Sequence, residues 1–305
     1  MTCPICRCPE QRKLFSMTDR LGLVPGQFHV FECADCGGQF LDPMPDPAIK
    51  DPYFEQYWGE KNKGLGPLAR LELAYKRMLD KLELSRLRPR LPAEAKVVDI
   101  GCGDGDALAI LHEWGYECWG LDTSPAGVEA VRERLPIEAR LGSVLNHDLE
   151  AGSFDLARMS HVMEHIPDPA RAAAEVCRLL KPGGLACIIV PNAASLEQRL
   201  TGRHWFPYFP PRHVIFFTPR SLGRLLENAG LTVEDVSYPW LLGATFNSSV
   251  APFLNYFRSQ GKQGLGGLVF RLANAALAVA TIPLSIVGGL LRLGPSVMVL
   301  ARKPK

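Results

Sequence analysis

The chain has 305 residues, 47% apolar and 22% charged, with a net charge of +2. This is ordinary globular composition, which excludes a disordered, collagen-like or coiled-coil chain, and the near-neutral sum carries no nucleic-acid signal. The charge is uneven, however: no Asp or Glu follows Asp235, and the last 70 residues carry seven basic ones. A basic, apolar tail on a mildly acidic body predicts contact with an anionic surface.

Met1 runs straight into Thr2, Cys3 and Pro4, with no secretory leader. The expectation is therefore a cytoplasmic chain whose nine cysteines meet a reducing compartment, where metal binding is favoured over disulfides.

Residues 1–45 read as a small module. Cys3 and Cys6 lie in CPIC, and Cys33 and Cys36 in CADC followed by Gly37. Each short loop can set two thiolates on one tetrahedral ion. Two such knuckles with 26 residues between them read as a four-cysteine zinc ribbon, with strands around 28–31 and 39–41. Cys8 is spaced too tightly to replace Cys6.

Residues 46–92 read as a linker and cap helix. The linker is proline-rich, an aromatic cluster with Tyr53, Tyr57 and Trp58 follows, and leucines recur at helical spacing over 67–88. From 93 to 305 strand and helix alternate. Strands are expected at 96–100, 117–121, 137–142, 154–159, 185–190, 232–238 and 296–302, and helices at 106–114, 124–134, 169–180 and 219–229. Such alternation predicts an α/β fold: a seven-stranded, mostly parallel sheet with helices on both faces.

The sharpest motif is VVDIGCGDG at 97–105, a buried strand ending in alternate glycines before a helix. Glycine lets the backbone turn sharply and approach a ligand closely. The loop lacks the GxGxxG of nicotinamide enzymes and the GK[ST] of a phosphate-binding P-loop. A second strand ends in Gly120-Leu121-Asp122, where a carboxylate can take both hydroxyls of a ribose.

Together these features resemble class I S-adenosylmethionine-dependent methyltransferases of the Rossmann-like ubiquinone or glycan type, over roughly residues 93–240. The resemblance implies S-adenosylmethionine as cofactor, held by Asp99, Gly101, Gly103, Gly105, Asp122, Ser143 and Ser160. Ser143 stands where the family often has Asp. The turn Leu179-Leu180-Lys181-Pro182-Gly183-Gly184 is similar to the family's turn before strand five. Its structural reading is that Pro182 stops the helix and the glycines make the turn.

Two histidine clusters follow. His161, Glu164 and His165 form HxxEH, similar to the ExxEH that holds a divalent metal in ubiquinone-pathway O-methyltransferases, with His161 in place of the first Glu. Its readings are a metal site, an acceptor site, a general base or a structural cap. The loop 202–213 carries His204, Trp205, Arg212 and His213 among further aromatics; long loops of this kind build binding sites. His213 is the expected base, Arg212 the expected partner of an anionic acceptor group, and His204 and Trp205 expected acceptor residues. Tyr57 is expected in a lid over the cofactor.

The stretch 272–291 carries no charge and is bracketed by Arg271 and Arg292. Because 296–302 must return to the sheet, an apolar helical insertion at about 240–294 is expected to lie in the membrane interface rather than cross it. A buried or dimer-forming helical pair is the competing reading.

The functional expectation is O-methylation of a saccharide or lipid-linked saccharide at the inner membrane face. A small-lipid, quinone-like O-methyltransferase, a C-methyltransferase of a nucleotide-linked sugar and a non-catalytic cofactor-binding protein stand as alternatives. Nucleic acid is not expected as partner, for want of a dense basic stripe or an NPPY-like motif.

Overall fold

The computed structural model describes residues 2–20, 22, 24–45, 67–239 and 287–305. Tyr57, the linker and most of the apolar insertion lie outside the described residues.

The N-terminal unit consists of β1 (Gln11–Met17), β2 (Phe28–Cys33) and β3 (Gln39–Asp42). Helix α1 (Pro67–Ser85) then leads into the main sheet. The chain continues through β4 (Lys96–Ile100), α2 (Asp106–Glu113), β5 (Glu117–Asp122), α3 (Pro125–Arg134) and β6 (Glu138–Leu141). The second half runs β7 (Phe154–Ser160), α4 (Pro169–Leu179), β8 (Leu180–Pro191), α5 (Leu196–Thr201), β9 (Ile215–Phe216), α6 (Pro219–Asn228), β10 (Thr232–Ser237) and β11 (Ser296–Arg302).

The large sheet has seven strands in the order β10-β11-β8-β7-β4-β5-β6. All neighbours pair in parallel except those of β11, which runs against both β8 and β10. Parallel strands covered on both faces are apolar throughout, as β4 is from Val97 to Ile100 apart from Asp99, and antiparallel β11 is likewise buried from Ser296 to Ala301. Strand order reverses between β4 and β7. Crevices beyond strand carboxyl ends at such a switch point are where open α/β sheets bind ligands.

Local chemistry explains the helix starts. Ser124, Asp168 and Thr218 each accept a backbone N–H from the first turn, and each is followed by proline at the first helical position. α4 buries Ala172, Ala173, Val176 and Leu179, one face at 3.6-residue spacing. The turn before β8 differs from expectation. α4 ends at Leu179, three residues ahead of Pro182, and β8 begins at once. Gly183, with φ of +81°, belongs to an irregularity inside β8 between Leu180 and Leu185.

The cysteine-rich unit is joined to the rest more closely than a linker would require. Its sheet is completed by β9, in the order β1-β2-β3-β9. One apolar cluster contains Cys3, Ile5, Cys33 and Cys36 together with Tyr208, Val214 and α4 and α6 residues. A second cluster, on the other face, holds Val97, Cys102, Leu108, Val128 and Val131. β1 and β9 were not foreseen: β1 lacks a clean alternation, and β9 is two residues long. No helix among the described residues is long and apolar enough to cross a membrane.

Candidate functional site

At the end of β4 the backbone turns through Gly101, Gly103 and Gly105, all in the left-handed region with φ of +76°, +56° and +80°. Gly101 is required twice over, because a Cβ there would lie 2.2 Å from Cγ2 of Val162. The loop is tied to the neighbouring strand. Gly101 N–H donates to the Leu121 carbonyl at 2.7 Å, and Gly103 N–H to Oδ2 of Asp122 at 2.8 Å. The other Asp122 oxygen accepts from Ser124 N–H at 2.8 Å. A carboxylate has about four lone-pair sites, so Asp122 retains capacity for two ribose hydroxyls while bracing the loop.

Asp99 lies in a buried ion pair. It is 2% exposed, and its carboxylate takes the Arg158 guanidinium at 2.9 Å. Arg158, on β7, also reaches Glu83 of α1 at 3.5 Å. Burial pushes the Asp99 and Glu83 carboxyls up, and the shared Arg158 opposes that. Asp99 thus anchors β4, β7 and α1 from within. Ser143 closes a tight turn after β6, exchanging backbone hydrogen bonds with Asn146. Ser160 is the last residue of β7.

The two histidine clusters, some 50 residues apart in sequence, meet in space. One ligand atom from each of Glu164, His165 and His213 lies within 4.8 Å of the others. The His165 and His213 rings pack edge to face at 4.7 Å. His165 Nδ1–H donates to the Arg212 carbonyl and His213 Nδ1–H to the Pro207 carbonyl, both at 2.8 Å. A carbonyl can only accept, so each Nδ1 carries the proton and Nε2 is the acceptor atom of the neutral ring.

Glu164 is 2% exposed, and neither of its carboxylate oxygens has a hydrogen-bond partner among the described residues. Oε1 faces His161 Nδ1 at 3.3 Å. Burial opposes its charge, but His161 and then His165 and His213 hold the carboxyl down at about 2. His161 itself takes φ of +56°. Burial disfavours its charged form, and Glu164 more than offsets this, so its ring is held above the usual imidazole range. His213 is pushed down to about 3 by burial and then by His165.

The acceptor-loop expectations divide. His213 and the Arg212 carbonyl belong to the cluster. His204 is exposed and contacts Arg203. Trp205 is 0% exposed, packed edge-on against Tyr208 at 5.1 Å as part of the apolar core. Glu164 was the under-weighted member, and its position one residue before His165 was the available signal.

Two donor sets fit metal ions. Cys3 and Cys36 Sγ are 3.8 Å apart, and Cys6 and Cys33 Sγ 3.5 Å. A tetrahedral Zn²⁺ with Zn–S near 2.3 Å needs sulfur separations of about 3.8 Å. The Cys36 thiol holds Cys3 down at about 5, favouring the thiolate. Cys8 turns away to the Glu10 carbonyl. The second set, one carboxylate and two imidazoles whose Nδ1 atoms are engaged by carbonyls and whose Nε2 atoms are left to ligate, suits a divalent cation. The orphaned Glu164 oxygen inside it is the observation that supports that fit.

A family model described as a methyltransferase domain matches residues 72–236, more than half of the chain. The ubiquinone biosynthesis O-methyltransferase of Xanthomonas axonopodis pv. citri is 31% identical over 187 residues, covering 56% of this chain and 78% of that protein. The enzyme of the same description from Thiobacillus denitrificans is 28% identical over 206 residues, covering 62% and 82%. Among solved structures, an S-adenosylmethionine-dependent methyltransferase from Archaeoglobus fulgidus matches 83% of this chain and 100% of its own, with a TM-score of 0.51 at 20% identity. One from Thermotoga maritima matches 82% and 97%, with a TM-score of 0.51 at 22% identity. These two share the fold.

Proposed function

The chain belongs to the methyltransferase domain family and is an S-adenosylmethionine-dependent methyltransferase, and from that premise we propose that it methylates a hydroxyl oxygen seated at Glu164, His165 and His213. The observation that carries this reading is the buried Glu164 carboxylate, whose oxygens have no hydrogen-bond partner among the described residues and one of which lies within 4.8 Å of ligand atoms of His165 and His213.

When bound, S-adenosylmethionine supplies an electrophilic methyl group on a sulfonium. Gly101, Gly103 and Gly105 bring the backbone close to it, and Asp122 takes its ribose. Ser143 and Ser160 lie on the same rim, at strand ends. The remaining work is to hold an acceptor oxygen in line and to draw its proton aside.

A hydroxyl entering the cluster donates to Glu164 Oε2 and turns its oxygen lone pair outward. His161, whose charged form Glu164 favours, in turn favours the carboxylate form of Glu164. His213 does not fit the role of strong base. An effective base has a pKa near working pH; this ring sits at about 3 and the Glu164 carboxyl at about 2, so Glu164 orients the hydroxyl as a hydrogen-bond acceptor and does not take its proton outright. Its neutral Nε2 is a ligand or a hydrogen-bond acceptor. A divalent cation held by Glu164, His165 and His213 would supply Lewis acidity toward the same hydroxyl.

The acceptor we favour is a hydroxylated, quinone-like small lipid. The ubiquinone biosynthesis O-methyltransferases among its relatives support it, and so does the basic, apolar composition after Asp235. The expectation of a saccharide draws no support from the described residues. The four cysteines are proposed to hold structural Zn²⁺.

The test is transfer of labelled methyl to hydroxylated aromatic lipids and to sugars, with wild type and Glu164→Gln, with and without Mg²⁺. Methyl ethers on the aromatic lipid, stimulated by Mg²⁺ and lost in the variant, are expected. Label confined to sugars, or transfer unaffected by the substitution, overturns the reading.

A further inference from the structure

The acceptor cluster is not held by the large sheet alone. Val214, the residue after His213, stands between it and the cysteine ribbon. Val214 N–H donates to the Glu164 carbonyl at 2.9 Å, and the Val214 carbonyl accepts from Leu41 N–H of β3 at 3.0 Å. One peptide segment thus sets the backbone of Glu164 on one side and is set by the ribbon on the other. β3 goes on to pair with β9, Phe40 opposite Ile215 and Gln39 opposite Phe216.

Two further contacts bind the same loop to the ribbon, and a third binds α6 to it. Tyr208, 0% exposed, donates its hydroxyl to Gln39 Oε1 at 2.6 Å. Arg20 donates to the Trp205 carbonyl at 2.9 Å. Gly38, which follows the second knuckle, is pressed between Ile5 and Ser221 of α6, where a Cβ would lie 2.4 Å and 2.9 Å from their side-chain atoms.

β3 is itself fixed by the knuckles. Cys33 N–H donates to the Gly38 carbonyl at 2.9 Å, and Gly37 N–H to the Cys33 carbonyl at 3.0 Å. Four thiolates brought to within 4.8 Å repel one another unless a cation neutralises them. The cofactor half is built differently. Ile100, Leu121 and Val144 share the ribbon's large apolar cluster, but Cys102 and α2 lie in the cluster on the opposite face, and the hydrogen bonds that brace the glycine loop come from Leu121 and Asp122, not from the ribbon.

We propose that Zn²⁺ on Cys3, Cys6, Cys33 and Cys36 positions the acceptor half of the active site, Glu164 and His213, through Leu41, Val214 and the Gln39–Tyr208 pair, and leaves the S-adenosylmethionine half independent of it. The ribbon is then the outer wall of the acceptor site. Gln39 and Tyr208 are positioning residues that touch neither cofactor nor acceptor. The proposal rests on the reading that Glu164 and His213 receive the acceptor.

The test compares wild type with the Cys3→Ser/Cys36→Ser variant as full-length protein, Mg²⁺ present throughout so that a cation at Glu164 is not withdrawn. Zinc content, S-adenosylmethionine affinity and amide hydrogen exchange are measured. The expected result is loss of zinc, cofactor affinity within threefold of wild type, and at least tenfold faster exchange across 208–217 with 97–122 still protected. Unchanged protection across 208–217 overturns the proposal. So does loss of cofactor affinity alongside zinc, because the ribbon would then support the whole fold.

Tyr208→Phe, which keeps the ring in place, is the second variant. Full zinc, unchanged cofactor affinity and KM, and a severalfold fall in kcat with faster exchange at 208–217 are expected; unchanged kcat and exchange overturn the Gln39–Tyr208 link. Exchange is read without any acceptor, so an error in the hydroxyl reading leaves that result intact.

Discussion

Gly103 gives its backbone N–H to Oδ2 of Asp122 at 2.8 Å. The glycine loop after β4 and the acid after β5 are therefore one hydrogen-bonded unit, spanning two adjacent parallel strands. Loop and acid therefore form a rigid rim at the strand ends, with neither free to move alone.

The glycines of that rim differ in what they tolerate. In Gly101→Ala the new Cβ meets Val162 at 2.2 Å in a left-handed backbone. Loss of cofactor affinity by at least tenfold and destabilisation of about 1–3 kcal/mol are expected. Gly103→Ala meets nothing within 4 Å, so only the left-handed cost of about 1–2 kcal/mol applies. Isothermal titration with S-adenosylmethionine and urea melts separate the two; equal effects would count against the steric argument.

Arg158 is the buried cation on which Asp99 and Glu83 both depend. Arg158→Met leaves two carboxylates buried without their partner, and a loss of about 3–5 kcal/mol is expected in urea melts. The Arg158→Met/Asp99→Asn/Glu83→Gln variant should recover much of it, since the cost lies in the uncompensated charges. A single substitution within 0.5 kcal/mol of wild type would refute this role, on the scale of ordinary surface changes.

His213 and His161 predict opposite pH dependences. The His213 ring is lowered to about 3 from 6.5, so between those values the unfolded chain binds a proton that the folded protein does not. Stability falls as pH falls through that window. His161 is raised above 6.5, so its contribution is present below 6.5 and fades as pH rises through its folded value. Thermal melts from pH 4 to 8 should show a shallower acid slope in His213→Asn than in wild type. A steeper one would invert the assignment.

The large sheet was legible because its signals are local: apolar strands, cap residues followed by proline, and a glycine loop at the first strand end. Strand 96–100 and the last strand, 296–302, match their expected bounds. The meeting of Glu164–His165 with His213 was not legible, because it depends on how the 202–217 loop folds back over β7. Trp205 looked like a pocket residue for the same reason: composition says that an aromatic loop is present, not which ring turns inward. The Arg158–Asp99 pair was hidden because a strand residue's partner across the sheet is set by register.

The most direct test of the central claim is a single comparison of wild type and Glu164→Gln, reading methyl transfer to a hydroxylated aromatic lipid beside S-adenosylmethionine affinity. Transfer to oxygen reduced at least a hundredfold, with cofactor affinity within twofold of wild type, is the predicted result. Undiminished transfer in the variant, or a labelled product methylated at nitrogen or carbon, would contradict it.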